Sequence, residues 1–389
     1  MDHSLKKPLH VMHVLGNLGP GGAEMGVTRL IRAFPGDDVT HSLCIFGDDL
    51  SLRSEVGDET PCHVMGFDGR VRTAFWPLAR LLREQAVDIV HVNNLAPWLD
   101  AALASTLAGC RCLLTFHGVE QAQLRFSLPR RIFFRLAARL SDGLTAVAAP
   151  AADLMAGLTD IRRDRIQVID NGIDTEAFQP VTSVDEKRVL RRALGLPENG
   201  LLLGCVAALR PVKNHAGLID AFAQVLGPDS PDVSLVLIGD GPLIDSLRQR
   251  CRAFGSQVAE RVLFLGRRSD VWRLLPAMDA FVLNSDTEGL SYAVLEAMSC
   301  GLPIIATEVG AHPQLVAQDF EGRLVPAGDV KALAQCLRGV LENPSELEIW
   351  GANARRKVVE EFSLLKMATA YRELYSRLAA GFGYSDANE

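Results

Sequence analysis

The residues best suited to chemistry lie in one segment, Asp286-Thr-Glu288-Gly-Leu-Ser-Tyr-Ala-Val-Leu-Glu296-Ala-Met-Ser-Cys-Gly301-Leu-Pro303. An apolar run ending near Leu283 feeds a polar loop, a helix from about Ser291 to Ser299, a glycine stop and a second apolar run. Glu288 and Glu296 are eight positions apart, at most about 12 Å along a helix axis. That is roughly the span of a diphosphate with a sugar at each end. The N–H groups of Leu290 and Ser291 open the helix and can hold phosphate between the two carboxylates. Glu296 sits in an otherwise apolar helix face with Val294, Leu295 and Met298, where a carboxylate needs a partner. A structural alternative is that it caps or pairs within a domain interface.

Three further segments carry unusual residues. Leu209-Arg210-Pro-Val-Lys213-Asn214 follows an apolar strand, and two cations there can neutralise a diphosphate; solvated surface cations are the alternative. Thr115-Phe116-His117-Gly118 ends another apolar strand, where a histidine can hydrogen-bond a sugar or phosphate or simply be a satisfied structural residue. Gly16-Asn-Leu-Gly19-Pro-Gly21-Gly22-Ala23-Glu24 joins a strand to a helix. Glycines there allow close backbone approach to an anion at the helix start, or simply form a structural tight turn. It is not the dinucleotide fingerprint: counted from Gly19 the third glycine falls at Glu24, and counted from Gly16 the second falls at Leu18. That disfavours an NAD-dependent dehydrogenase.

The elements that must position these groups alternate as short apolar runs and longer helical patterns, the signature of parallel α/β architecture. Strands are expected at 10–15, 41–46, 88–92, 112–116, 143–147 and 166–169, with helices such as 22–33, 74–84 and 99–107 between them. After turn residues at 171–180 the pattern restarts with strands at 201–207, 234–238, 262–265, 280–283 and 303–306. We expect two Rossmann-like, doubly wound domains facing a cleft, residues 1–175 and 176–365. A last helix within 366–389 is expected to pack back toward the first. In such sheets ligands bind beyond the carboxyl ends of the strands, and the segments above fall in those loops.

The chain's 389 residues exceed one ordinary core. With 48% apolar and 22% charged residues it reads as globular rather than disordered, and a net charge of −7 does not suggest a nucleic-acid binder. Its eight cysteines are scattered without zinc or redox spacing, as expected of reduced thiols in a cytoplasmic protein. The apolar residues 9–15 contain His13 and run into the glycine loop, so they read as a first strand rather than a signal peptide. No apolar run approaches the roughly 18 residues of a membrane span. The stretch from Arg125 to Arg139 is both basic and apolar, with no acid between Glu120 and Asp142. It can lie on an anionic membrane face or pack as a core helix with a solvated arginine face.

Taken in order, these segments resemble the large family of retaining, nucleotide-sugar-dependent GT-B glycosyltransferases that includes bacterial mannosyltransferases and sucrose-synthase-like enzymes. The resemblance covers nearly the whole chain. It rests on Gly21-Gly22-Ala23-Glu24, Thr115-Phe116-His117-Gly118, Asp170-Asn171-Gly172-Ile173-Asp174 with Phe178, Arg210 to Lys213, Gly239-Asp240-Gly241-Pro242, Phe264-Leu265-Gly266 and the two glutamates. It implies that Glu296 binds the donor ribose, and that Glu288 with the backbone of Gly289, Leu290 and Ser291 contacts the transferred sugar. Arg210 and Lys213 would hold the diphosphate, Gly21 and Gly22 would approach donor phosphate and acceptor, and His117 would lie by the donor sugar. The backbone of Gly266 and Arg267 would lie near the base. The donor would be a UDP-, GDP- or ADP-sugar, the acceptor a saccharide or a lipid-linked saccharide, the product a cell-surface polysaccharide or glycolipid. No metal or other cofactor is implied, and no acidic or histidine cluster has ligand spacing.

Two departures stand out. The family often has arginine five residues before the lysine, where this chain has Ala208, and Arg210 can supply the charge from two positions later. The family's phosphate-side turn, Gly-Gly followed shortly by glutamate, reads Gly310-Ala311-His-Pro-Gln314 here. A nucleotide-sugar epimerase or hydrolase on the same fold and a non-enzymatic sugar-binding protein are the competing readings.

Overall fold

A computed structural model describes residues 7–34, 38–67, 74–118, 126–227 and 232–381. Within them, everything up to Gly172 together with Leu364 onward forms one compact unit, and Ile173–Ser363 forms a second. Both junctions fall a few residues before the expected 175 and 365. The reason is local: the Ile173 N–H donates to the Phe362 carbonyl at 2.9 Å, and Ile173 bridges Ser363, stapling the ends of the second unit together.

In the first unit the elements run β1 (Leu9–Leu15), α1 (Gly22–Arg32), β2 (Val39–Ile45), α2 (Arg53–Val56), β3 (Cys62–Val64), α3 (Phe75–Glu84) and β4 (Ile89–Val92). They continue with α4 (Trp98–Ala108), β5 (Arg111–Phe116), α5 (Leu128–Leu140), β6 (Gly143–Ala146), α6 (Ala149–Thr159) and β7 (Gln167–Val168). The strands form one parallel sheet in the order β3-β2-β1-β4-β5-β6-β7. Strands β1, β4 and β5 are buried at most positions because helices cover both faces of a parallel sheet.

In the second unit follow α7 (Val184–Leu194), β8 (Leu201–Val206), α8 (His215–Val225), β9 (Val233–Ile238), α9 (Ile244–Ala253), α10 (Ser256–Arg261), β10 (Val262–Gly266) and α11 (Val271–Leu274). Then come β11 (Ala280–Leu283), α12 (Tyr292–Ser299), β12 (Ile304–Thr307), α13 (His312–Leu315), β13 (Gly322–Val325), α14 (Val330–Glu342) and α15 (Pro344–Glu361). Its sheet is also parallel, ordered β10-β9-β8-β11-β12-β13. Two strands escape the sequence reading, β3 and β13. Both are short edge strands, partly exposed, so neither shows an apolar run.

The last helix, α16 (Leu364–Ala379), belongs to the first unit. Met367, Tyr371, Leu374, Tyr375 and Leu378 recur at helical spacing and pack with Val11, Leu30, Val39, Ile89, Leu113 and Ile169. Gly143 makes room for this helix, since a Cβ there would meet the Leu113 and Leu378 side chains at 2.9 and 3.4 Å.

The face under α16 carries a polar belt. Alternation along parallel strands places His41, His13, His91, Thr115 and Thr145 on it, one from each of β2, β1, β4, β5 and β6. His13 Nε2 lies 3.0 Å from His41 Nδ1, His91 bonds the Tyr375 hydroxyl at 2.7 Å and Thr115 Oγ1 at 2.6 Å, and Thr115 bonds Thr145. Burial lowers the pKa of all three rings, pushing His41 down to about 4 and keeping them neutral.

No helix among the described residues is long and apolar enough to cross a membrane.

Candidate functional site

Each sheet reverses its strand order at one point, between β1 and β4 in the first unit and between β8 and β11 in the second. Beyond the carboxyl ends of such strands a crevice opens in doubly wound sheets. Most candidate residues lie in the loops at these two places; Glu296 lies on the helix that follows one of them, His117 follows β5, and Gly266 ends the edge strand β10 with Arg267 just after it.

In the second unit, β8 runs into residues 207–213 and β11 into residues 284–291. The two loops are tied together: the Asp286 N–H donates to the Val212 carbonyl at 2.8 Å, and Asn284 Nδ2 donates to the Asn214 carbonyl at 3.1 Å. Asn214 adopts a left-handed conformation (φ 46°) and caps α8 through its side chain, which accepts from the Gly217 N–H at 3.1 Å. This turn brings Lys213 to Glu288, with Nζ 2.5 Å from Oε1. The Ser285 hydroxyl donates to the same oxygen at 2.7 Å. The lysine side chain is 24% exposed and the glutamate 9%, so the pair is sheltered yet reachable, and a charge in it acts with little screening.

Two histidines stand close to this pair. Burial and the neighbouring Lys213 push His215 down to about 4, and its Nε2 lies 3.9 Å from the Cys205 sulfur. Burial raises that thiol to about 12, so it stays protonated and unreactive. His312 is wholly buried and donates from Nδ1 to the Thr307 carbonyl at 2.7 Å.

Gly289, Leu290 and Ser291 complete the loop, with Ser291 as the N-cap of α12. Glu296 is buried on α12, about one turn into the helix. The 307–312 turn closes against the loop. The Ala311 N–H donates to the Gly289 carbonyl at 3.0 Å, and Gly310, at φ 54°, lies so close that a Cβ would sit 2.1 Å from the Glu288 carbonyl oxygen. Arg210 is exposed at the start of a short 3-10 turn ending at Lys213, and its guanidinium makes no ion pair among the described residues. Gly266 takes a left-handed φ of 66° and accepts at its carbonyl from the Gly239 N–H at 2.8 Å, while Arg267 is exposed.

In the first unit, Gly21 precedes α1 and Gly22 begins it. A Cβ on Gly21 would meet the Glu24 carboxylate at 2.1 Å, whereas one on Gly22 would meet nothing within 4 Å. Asn94, beyond the end of β4, accepts from the Gly16 N–H at 2.8 Å and donates to Glu24 at 3.1 Å. His117 lies 3.5 Å from Asn93 Oδ1, and burial pushes its ring down to about 4. Asn93 and Asn94 escaped the sequence reading because an amide pair after a strand also reads as an ordinary turn.

The basic stretch forms α5 from Leu128 onward, with Phe126 and Ser127 leading into it, while Arg125 and Glu120 lie outside the described residues. Phe134, Ala137 and Ala138 face the core. On the outside stand Leu128 at 71% exposure, Ile132 and Phe133 at 51% each, and Leu136 at 43%. Arg131, Arg135 and Arg139 recur every four residues beside them. Among the described residues no group of three or more His, Cys, Asp or Glu side chains could hold a metal ion.

Two parallel doubly wound sheets, each with a switch point between its first and fourth strands, define the GT-B fold. Two family models match the chain, glycosyl transferases group 1 over residues 186–357 and glycosyltransferase family 4 over residues 20–177. The chain belongs to the GT-B glycosyltransferases. Among its relatives is the UDP-Gal:alpha-D-GlcNAc-diphosphoundecaprenol alpha-1,3-galactosyltransferase of Escherichia coli, 29% identical over 303 residues and covering 77% of each chain. The N-acetyl-alpha-D-glucosaminyl L-malate synthase of Bacillus anthracis is 29% identical over 301 residues, again 77% of each. Among solved structures, Anabaena HepE in complex with UDP and glucose superposes with a TM-score of 0.81 at 24% identity, over 95% of this chain and 99% of that one.

Proposed function

We propose that this protein moves a sugar from a nucleotide-diphosphate sugar to a saccharide or lipid-linked saccharide acceptor, with retention of anomeric configuration and without a metal, in cell-surface polysaccharide or glycolipid synthesis. The observation that carries this reading is the Lys213–Glu288 pair at the switch point of the second sheet. Lys213 offers a cation for a diphosphate, Glu288 a carboxylate for sugar hydroxyls, and the α12 N-terminus, capped three residues after Glu288, a set of N–H groups. Glu296 then takes the ribose hydroxyls. As the bond between the anomeric carbon and the phosphate oxygen breaks, negative charge grows on the diphosphate beside Lys213. The acceptor hydroxyl forms its bond on the face the phosphate leaves, and its proton passes to a diphosphate oxygen. Uridine is the favoured base, supported by the UDP-Gal of the E. coli relative's name and the UDP bound to the HepE structure.

Thermal-shift measurement against UDP, GDP and ADP and their common sugars tests the donor site, since a ligand of the folded state alone raises the melting temperature. UDP compounds are expected to stabilise the wild-type chain and not Lys213→Ala. Transfer assays with and without EDTA, read by NMR at the new anomeric centre, test the rest. A product of inverted configuration, or activity abolished by chelation, overturns that part of the reading.

The exposed apolar stripe of α5 with its arginines favours a second element, peripheral contact with the inner face of an anionic membrane, where lipid-linked acceptors reside. Flotation with vesicles containing anionic lipid is expected to carry the wild-type chain but not Ile132→Glu/Phe133→Glu. Equal flotation of both removes α5 from the account.

A further inference from the structure

The Gly310-Ala311-His312-Pro313-Gln314 turn departs from the Gly-Gly pattern that the family resemblance predicts, and His312 is its most unusual member. It lies at 0% exposure. A histidine so buried costs stability that a leucine of similar size would not, unless its ring has work in the fold. Its bonds point to that work. Nδ1 donates to the Thr307 carbonyl at 2.7 Å. The Thr307 hydroxyl donates to the Ser285 carbonyl at 2.6 Å. The Ser285 hydroxyl donates to Glu288 Oε1 at 2.7 Å, the same oxygen that receives Lys213. The backbone repeats the connection through Ala311 N–H to the Gly289 carbonyl.

Because the Thr307 carbonyl can only accept, Nδ1 must carry the hydrogen, and Nε2 keeps a bare lone pair. Among the described residues Nε2 has no hydrogen-bond partner. Burial lowers the ring's pKa, with Lys213 adding to the effect and Glu288 opposing it, so the ring stays in this neutral tautomer. The group therefore works as a fixed donor.

We infer that His312 is a positioning residue for the reaction: through Thr307 and Ser285 it fixes where the Glu288 carboxylate stands relative to Lys213. The inference rests on the reading of Glu288 as the group that contacts the transferred sugar. A carboxylate with one oxygen held by a hydroxyl and an ammonium has little freedom to rotate, and a displacement of about 1 Å in such a group costs about a hundredfold in rate. Loss of His312 frees the 307–312 turn and, with it, the Ser285 carbonyl that the turn holds.

The test compares His312→Leu, which removes the donor, with His312→Asn, whose side-chain amide can replace Nδ1. Turnover with a UDP-sugar is expected to fall about tenfold to a hundredfold in His312→Leu, with the donor KM within about twofold. His312→Asn is expected to recover most of the loss. Ser285→Ala is expected to lower turnover in the same way, and the double variant Ser285→Ala/His312→Leu to be little worse than either single one. Multiplying losses in the double variant, or turnover as low in His312→Asn as in His312→Leu, overturns the inference. The thermal shift with UDP separates the two levels. No shift in the wild-type chain sinks the donor-site reading, whereas a normal shift with unchanged turnover in His312→Leu sinks only the role of His312.

Discussion

The two sheets share a strand plan yet bury different kinds of polarity. From one edge inward each runs third, second, first, fourth, fifth, sixth in its own order, so each has its switch point between its first and fourth strands. At that point the second unit holds a lysine and a glutamate in contact. The first holds a glycine-rich loop, two asparagines and a carboxylate bound by an amide. On the face under α16 it buries neutral groups, His13 bonded to His41, and His91 bonded to Tyr375 and to Thr115, which bonds Thr145. The topology fixes where a ligand can approach, and the side chains decide what kind. At the switch point charge stands where a charged ligand can complete it, whereas the groups that hold elements together are neutral under α16 and charged in the largely buried Arg191–Asp279 pair.

The largest effect expected from breaking this contrast is at the charge pair. Lys213→Ala should lower turnover by about 10²–10³-fold, the cost of removing one preorganised donor to developing charge. It should also leave Glu288 sheltered, with the Ser285 hydroxyl still donating to its Oε1. Glu288→Gln should lower turnover more than donor affinity, and Glu296→Ala the reverse. Steady-state kinetics with donor titration separates them, and an exchanged pattern would mean that the two glutamates have exchanged roles.

Next in size is a pair of glycine substitutions that asks how rigid each loop is. Gly310→Ala adds a Cβ at a left-handed φ of 54°, against the backbone carbonyl of Glu288 at 2.1 Å. Backbone cannot step aside cheaply, and we expect a loss of at least about tenfold in turnover together with a lower melting temperature. Gly21→Ala meets only the end of the flexible Glu24 side chain, and its φ of −109° suits any residue. It should cost less than about 1 kcal/mol of stability. Equal effects at the two positions would show that the first loop is as tightly built as the second.

Much of this arrangement was legible in the sequence. Strands buried on both sides, such as 112–116 and 234–238, announce themselves by apolar runs, and the glycine-rich turns after them mark their carboxyl ends. The residue types of the candidate site in the second unit were legible too: Lys213, Glu288 and Glu296 stood out as charges beside apolar runs. Their pairing was not. Lys213 and Glu288 are 75 positions apart, and only the adjacency of β8 and β11 brings their loops together. His312, Thr307 and Ser285 were passed over because a serine, a threonine and a histidine in three turns have no periodicity to betray a common task. The belt under α16 was hidden for the same reason, its His91–Tyr375 bond spanning 284 positions. Sequence pattern reports which face is buried, not which polar group finds which partner on it.

The smallest effects on turnover belong to that belt, and stability measurements test whether its role is to hold α16. Tyr375→Phe removes the hydroxyl from His91 Nδ1 and leaves the ring nitrogen buried without it. A cost of about 1–2 kcal/mol in stability is expected, with turnover unchanged at a temperature where the variant is folded. The pH dependence follows from the lowered histidine values. Above the unfolded value of 6.5, the rings are neutral folded or unfolded and the belt contributes in full. Below it the unfolded chain takes up protons that the folded belt refuses, so stability falls as pH drops from 6.5 toward the folded values, about 4 for His41. Each such ring contributes a slope of about 1.4 kcal/mol per pH unit within that window. Hydrogen exchange of the α16 amides, compared at pH 7.5 and 5.5 after correction for intrinsic rates, reads this directly. Protection is expected to fall at the lower pH in the wild-type chain and to fall less in His41→Phe. Protection independent of pH would mean that the helix is held by its apolar stripe alone.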